Sequence, residues 1–439
     1  MTLAHPRFVW SVSADDPVVS ARLQPLGGGL PASALEAARR ILDGVRTRGD
    51  DALIAFTRQF DGVSLRPDTL RVELATIEAS AAEASPALRE AIALAATRIR
   101  TWHARQLPAD DVLEDPLGGV LRRCHRPVSA AGLYVPGGRA AYPSTVLMNV
   151  IPAQVAGVPR LAVFTVPGMV ESNPAVAFAL HHLGVEEVWR VAGAQAIGAA
   201  AFGTATIAPV DVIVGPGNAF VAAAKREVQG LVGIDSIAGP SEVLILCDHT
   251  AEPGWMACDM LAQAEHDPLA RVVVACTDAD TLDRILDAFA REIAASPRRA
   301  VVEAAWRDHG LALLVDEVAG LEAIARRMAA EHLQVVLADP GDVTRFPASA
   351  IFVGNRTPTA LGDYILGTNH VLPTGGASRF SGPLGVHAFL RHLSVAEVTG
   401  DALLASIAEP GALFADHEGL AGHARALRVR IPQTPEEGP

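Results

Sequence analysis

The chain has 439 residues, 50% of them hydrophobic and 19% charged, with 49 acidic and 36 basic side chains and a formal charge of −13. Length suits about three domain-sized units, and this composition excludes a mostly disordered chain. The acidic balance, with no local basic block, argues against a nucleic-acid binder. Four scattered cysteines, Cys124, Cys247, Cys258 and Cys276, form no CxxC pair; a disulfide framework is not expected, and a reducing cytoplasm fits.

In chain order, MTLAHPRFVWSVSADDP lacks a basic start followed by an apolar run, so no secretory signal is expected. Residues 1–30, ending in GGGLP, read as an arm. From 31 to 106 the pattern is helical, with Leu35, Ala38, Leu42 and Val45, then Ile92, Ile99 and Trp102, at helical spacing. Asp61-Gly62 marks a turn between them. From about 130, short apolar runs alternate with helical stretches: AAGLYV, STVLMNVIPAQVAGV, LAVFTV, PAVAFALHHLG, VWRVAG, AQAIGAAAF and VDVIV. That alternation predicts a parallel sheet wrapped by helices. It resumes after 240 with EVLILC, a helix through 265, RVVVAC, a helix over 279–294, LALLV, another helix and LQVVLA. Two similar layers are compatible with this rhythm, which does not by itself prove a repeat. The uncharged stretches 140–159 and 191–210 approach bilayer length, but Pro, Gly, Gln and Asn interrupt them and Ala dominates, so they read as buried soluble segments. Beyond 340 the pattern fades into loops; the last 60 residues read as helical, with QTPEEGP as a tail.

Several short segments carry candidate chemistry. No G-x-G-x-x-G follows a strand. GPGNAF at 215–220 instead joins VDVIV to a helix containing Lys225, the only lysine and so the one side chain a Schiff base would have to use. The loops Tyr134-Val-Pro-Gly-Gly and Gly239-Pro-Ser241 have similar placement. Each is ambiguous alone; three such loops near the strand ends of an open α/β sheet point to a ligand edge. Gln263 and His266 share a helical face, a spacing that suits two ligands on one metal and equally a surface pair. Glu331-His332 offers two bases only if the backbone is irregular, because neighbours in a strand point to opposite faces; alone the pair reads as solvated. Asp363 and His370 lie in the polar stretch GDYILGTNHVLPTGG, and Glu418 and His423 lie five apart near the end.

Taken in order, YVPGGRAAYPSTVLMN (134–149), GAQAI (193–197), VDVIVGPGNAFV (210–221), AGPSEVL (238–244), LAQAEHDP (261–268), EHLQ (331–334), GDYILGTNHVLPTGG (362–376) and EGLAGH (418–423) resemble the motifs of the histidinol dehydrogenase family, with TRQFDGV (57–63) as weaker support. The resemblance implies a zinc enzyme of histidine biosynthesis that oxidises L-histidinol to L-histidine through the aldehyde with two NAD as cosubstrate. Carried over by motif, one zinc per subunit is held by Gln263, His266, Asp363 and His423. Glu331 and His332 are the catalytic bases, and Tyr134, Gln195 and Asn218 contact NAD. Ser241 and Glu418 join His332 and the zinc ligands around the substrate. The implied architecture is two Rossmann-like parallel-sheet domains with small N- and C-terminal arms in an intertwined homodimer. Its divisions are an arm at 1–30, a zinc-bearing domain at 31–132 and 241–381, an NAD domain at 133–240, and a C-terminal arm at 382–439 that completes the partner's active site. No nucleic-acid or membrane partner is implied, and the setting is cytoplasmic.

Thr359 departs from the acidic residue that many members carry four positions before the Asp-Tyr pair. Relatives acting on other alcohols, such as a sulfopropanediol, share the zinc motifs; Glu418 favours histidinol because a carboxylate suits a cation. Two further readings are a Cys258 thiolate that traps the aldehyde, which Asp259 opposes, and a zinc-stabilised scaffold without activity.

Overall fold

The computed structural model describes residues 8–10, 19, 22–24, 30–137, 142–237 and 239–431. The rest of the opening arm, Gly138 and the terminal QTPEEGP lie outside the described residues. The chain divides into two compact units, Met1–Gln106 with Val128–Phe389, and Leu107–Pro127 with Leu390–Pro439.

The first unit holds two parallel sheets. One runs Glu187–Trp189, Arg160–Phe164, Ala130–Tyr134, Val212–Val214, Gly233–Ile234 across its width. Numbered along the chain, its order is 3-2-1-4-5, that of a nucleotide-binding α/β half. The other runs Leu311–Val315, Arg271–Cys276, Glu242–Cys247, His332–Val336, Ala350–Val353, again 3-2-1-4-5. Phe8–Trp10, from the opening arm, pairs parallel to Leu311–Val315 as a sixth strand. The two alternating stretches of sequence are therefore two layers of one topology. Their central strands are buried along their whole length, which explains continuous apolar runs in place of polar–apolar alternation.

The helices of 31–106 are Ala32–Arg48, Asp50–Asp61, Leu74–Ala82 and Pro86–Ala104. Gly62 ends the second in the left-handed conformation, as the Asp61-Gly62 turn requires. The buried stripe Ala34, Ala38, Ile41, Leu42, Val45 shares a core with the helices Gly193–Phe202 and Ala219–Val228 and with the five-stranded sheet. The apolar face of 34–45 is therefore buried against the five-stranded half.

The second unit pairs Asp111–Asp115, Gly119–Pro127 and Leu390–Val398 in an antiparallel sheet, followed by helices Asp401–His417 and Ala421–Arg428. Residues 107–127 thus belong with the C-terminal segment, and a strand stands where only helices were expected. Leu390–Val398 has no fully buried residue, so it lacks the one-sided alternation that identifies a strand in sequence. The uncharged stretches near 150 and 200 form buried helices of 14 and 10 residues, and among the described residues no helix is long and apolar enough to cross a membrane.

Candidate active site

At the carboxyl edge of the five-stranded sheet, strand order reverses between Ala130–Tyr134 and Val212–Val214, the place where such sheets bind nucleotides. The Tyr134 side chain is buried; its hydroxyl accepts the Gly193 N–H at 3.1 Å, and burial pushes its pKa up to about 12. Gln195 is buried in the first turn of the helix that Gly193 opens. Asn218 is exposed and caps helix Ala219–Val228, its Oδ1 accepting from Phe220 N–H at 3.0 Å and Val221 N–H at 3.2 Å. The three residues expected to contact NAD thus lie on elements leaving one sheet edge, and Tyr134 and Asn218 also have local structural tasks.

In the six-stranded sheet the charged cluster lies at the opposite, amino edge. Glu331 precedes strand His332–Val336, and Ala329 just before it has φ 45°, the one left-handed non-glycine among the described residues. Glu331 itself lies in a bend just outside the strand, so the strand's alternation does not bind it, and both side chains are buried rather than solvated. Glu331 Oε2 accepts the Glu242 N–H at 2.8 Å and lies 3.6 Å from His332 Nδ1. His332 Nδ1 lies 3.2 Å from the Glu242 carbonyl, a donor position that leaves Nε2 to face Asp363 Oδ1 at 3.5 Å. Phe352 stacks on the ring with centroids 6.0 Å apart. Burial opposes charge on His332, but the Glu331 and Asp363 carboxylates outweigh it and lift the imidazole to about 10. Burial likewise opposes charge on Asp363, yet His332, with His370 and His266, holds that carboxyl below its usual range.

Gln263 is buried in helix Pro253–Ala264, with Nε2 lacking a hydrogen-bond partner; His266 lies just beyond that helix and is exposed. Among the described residues no three His, Cys, Asp or Glu side chains already form a metal cluster. Glu418 and His423 lie in the second unit, at the end of helix Asp401–His417 and in helix Ala421–Arg428, both exposed. Ser241 lies just before strand Glu242–Cys247, its carbonyl accepting from Arg271 N–H at 2.9 Å.

Glu242 and Arg271 were not singled out in the sequence. In register at the starts of neighbouring strands, they form a buried ion pair at 3.2 Å. Burial raises the Glu242 carboxyl most, Arg271 lowers it and Glu331 raises it, to about 7. A charged residue heading each of two apolar runs, EVLILC and RVVVAC, was the available signal. His370 bridges Asp363 and the helix Pro143–Ala156: Nδ1 lies 2.7 Å from the Asp363 carbonyl and Nε2 3.3 Å from Thr145 Oγ1. Burial pushes its pKa down. Thr359 is buried. Lys225 Nζ is bound to Gly215 O and Asp235, leaving no exposed amine for a Schiff base. The Cys258 thiol is exposed, but burial first, then Glu292 and Asp259, raise its pKa, against the thiolate that trapping needs.

Two parallel-sheet halves of nucleotide-binding strand order, one with a buried imidazole between carboxylates, define an α/β protein with an enzyme-like site. The histidinol dehydrogenase family profile matches residues 31–431. A histidinol dehydrogenase of Rhizobium meliloti (strain 1021) is 47% identical over 397 residues, covering 90% of this chain and 91% of that protein. One of Caulobacter vibrioides is 45% identical over 407 residues, covering 92% and 94%. The crystal structure of histidinol dehydrogenase from Elizabethkingia anophelis superposes with TM-score 0.89 at 32% identity, covering 97% of this chain and 99% of that one. The chain belongs to the histidinol dehydrogenase family, NAD-dependent oxidoreductases of histidine biosynthesis.

Proposed function

We propose that the chain oxidises L-histidinol to L-histidine through L-histidinaldehyde, with zinc bound by Gln263, His266, Asp363 and His423 and with NAD as hydride acceptor in both steps. The observation that carries this reading is the His332 imidazole held between Glu331, Glu242 and Asp363. The donor set fits zinc: one carboxylate flanked by imidazoles, and a buried amide that can offer its carbonyl oxygen. Zinc there would take up the Asp363 charge and orient the substrate's imidazole and amine nitrogens.

With the Asp363 charge taken up by zinc, one of the two carboxylates that raise His332 would be neutralised, and the imidazole in its neutral form takes the hydroxyl proton at Nε2 as hydride leaves the carbinol carbon for NAD, its Nδ1 contact to Glu242 O fixing the tautomer. In the second step Glu331 takes a proton from the water that adds to the aldehyde carbon, and hydride passes to a second NAD. Tyr134, Gln195 and Asn218 hold the dinucleotide at the carboxyl edge of the five-stranded sheet. Ser241 and the Glu418 carboxylate receive the substrate, the latter through its cationic amine. The four free thiols fit a cytoplasmic setting.

Glu418 and His423 are supplied by a second copy in a homodimer. The second unit exposes Val112, Leu113, Leu121, Leu413 and Phe414, apolar surface suited to burial against a partner. Each site then takes Gln263, His266, His332 and Asp363 from one chain and Glu418 and His423 from the other.

Purified protein should form NADH with L-histidinol, lose this activity to a strong chelator and regain it with zinc. Full activity in protein shown metal-free by elemental analysis would refute the zinc assignment, and preference for a sulfonated diol would move the chain to another substrate class. Mixing inactive His332→Ala and His423→Ala proteins should restore roughly a quarter of wild-type activity, because about half the exchanged dimers carry one intact site of two. No recovery despite proven subunit exchange would reject the shared site.

A further inference from the structure

Lys225, the single lysine of the chain, has no part in the chemistry above. It lies within helix Ala219–Val228, 2% exposed, where an ammonium must be paired to be tolerated. Its Nζ donates to the Gly215 carbonyl at 3.1 Å and is bonded to Asp235. The Asp235 side chain is 5% exposed; its Oδ2 accepts the Gly215 N–H at 2.8 Å and its Oδ1 the Ser236 N–H at 2.7 Å. Both backbone polar groups of Gly215 are therefore held, one by each member of a buried ion pair.

Gly215 begins the Gly215-Pro216-Gly217-Asn218 turn at the reversal of strand order. Its φ is 115°, and a Cβ there would lie 2.1 Å from the Tyr134 carbonyl oxygen. That oxygen is itself held by Asn149 Nδ2 at 2.9 Å. The contacts on Gly215 and Tyr134 thus fix how closely the ends of the first and fourth strands approach, and so the crevice between them. A buried ion pair adds little net stability, because desolvation offsets most of its attraction. What this pair does supply is one defined turn shape, and preorganisation of that kind acts on ligand affinity.

We propose that Lys225 and Asp235 are positioning residues for the dinucleotide, locking the Gly215–Asn218 turn in the shape that receives NAD at the N-terminus of helix Ala219–Val228. This rests on the cofactor reading of that sheet edge. Lys225→Met keeps the length of the side chain and removes the donor. Asp235→Asn keeps an acceptor for the Gly215 N–H and removes the charge.

The test uses zinc-loaded, full-length protein. NADH affinity is read by fluorescence titration, beside KM for NAD, KM for histidinol, kcat at saturating NAD, and Tm. Lys225→Met should weaken NADH binding and raise KM for NAD about ten- to hundredfold, the range set by losing hydrogen bonds to a charged group. KM for histidinol and kcat should stay within about twofold, because binding rather than the chemical step is altered. Unchanged NADH affinity in folded Lys225→Met, or a joint loss in kcat and both KM values, overturns the proposal in favour of a purely structural pair. If Lys225→Met does not fold, Asp235→Asn carries the same expectation. Asn218→Ala separates the two levels of the argument. If it weakens NADH while Lys225→Met does not, the positioning role alone fails; if neither does, the dinucleotide binds elsewhere and both readings fall.

Discussion

The two halves of the first unit share the strand order 3-2-1-4-5 and use it in opposite ways. At the carboxyl edge of the five-stranded half, glycine turns leave the crevice lined by backbone: Gly193 follows the third strand and Gly215 the fourth, both with positive φ. At the same edge of the six-stranded half stands Asp248. Its N–H donates to the Val336 carbonyl at 3.1 Å, and its carboxylate accepts from Ala338 N–H at 2.7 Å and Thr250 N–H at 2.9 Å. One side chain thereby ties the ends of the first and fourth strands together at the reversal of strand order. The titratable cluster of this half lies at the amino edge, in Glu242, Arg271, Glu331 and His332. Strand order nominates an edge; the residues that leave the strands decide whether it is open.

The sharpest way to break this comparison is to damage the amino edge and ask which kinetic constant responds. His332→Ala should lower histidinol oxidation about 10²–10⁴-fold, the usual worth of a general base, with NADH affinity retained. Glu331→Gln should slow histidinaldehyde oxidation more than histidinol oxidation, since only the aldehyde step needs activated water. Each variant is assayed on each substrate with NADH binding measured in parallel. Equal losses on both substrates in Glu331→Gln would refute the division of labour, and lost NADH binding in His332→Ala would merge the two edges into one function.

Much of this architecture is legible in the sequence because it follows from local patterns. The apolar runs EVLILC, RVVVAC and LQVVLA are buried strands, and Asp61-Gly62 and the GPGN turn sit where their backbone demands place them. Less legible was what depends on contacts distant in sequence. The 34–45 stripe announces a helix but not which sheet it covers. Glu331-His332 reads alone as a solvated pair; burial comes from strand Glu242–Cys247, some 90 residues earlier, whose backbone binds both side chains. Residues 107–127 and 390–398 find each other across more than 260 residues, a pairing no local period can announce. The charges of Glu242 and Arg271 looked like strand boundaries, and only the register of their strands shows that they meet.

That register sets the smallest effect we expect, a pH dependence of stability belonging to the six-stranded half. Burial raises the Glu242 carboxyl from 4.5 to about 7, with Glu331 adding to the rise and Arg271 opposing it. A carboxyl whose pKa is higher folded than unfolded binds more protons in the folded state between the two values. Its contribution is therefore full below the unfolded value and lost as pH rises through the folded one. Asp259, raised by burial to about 6, acts in the same direction over a lower window. For Glu242 alone, linkage gives a loss of about 2 kcal/mol between pH 5 and pH 7. Glu242→Gln abolishes this titration, while leaving Arg271 buried without its counter-ion lowers stability at every pH. Urea unfolding of both proteins, metal-free at pH 5, 6 and 7, should show wild type losing about 2 kcal/mol more than the variant across the range. Parallel declines would mean that Glu242 stays ionised throughout, with Arg271 outweighing burial. The charged row at the amino edge would then be fixed across physiological pH instead of titrating within it.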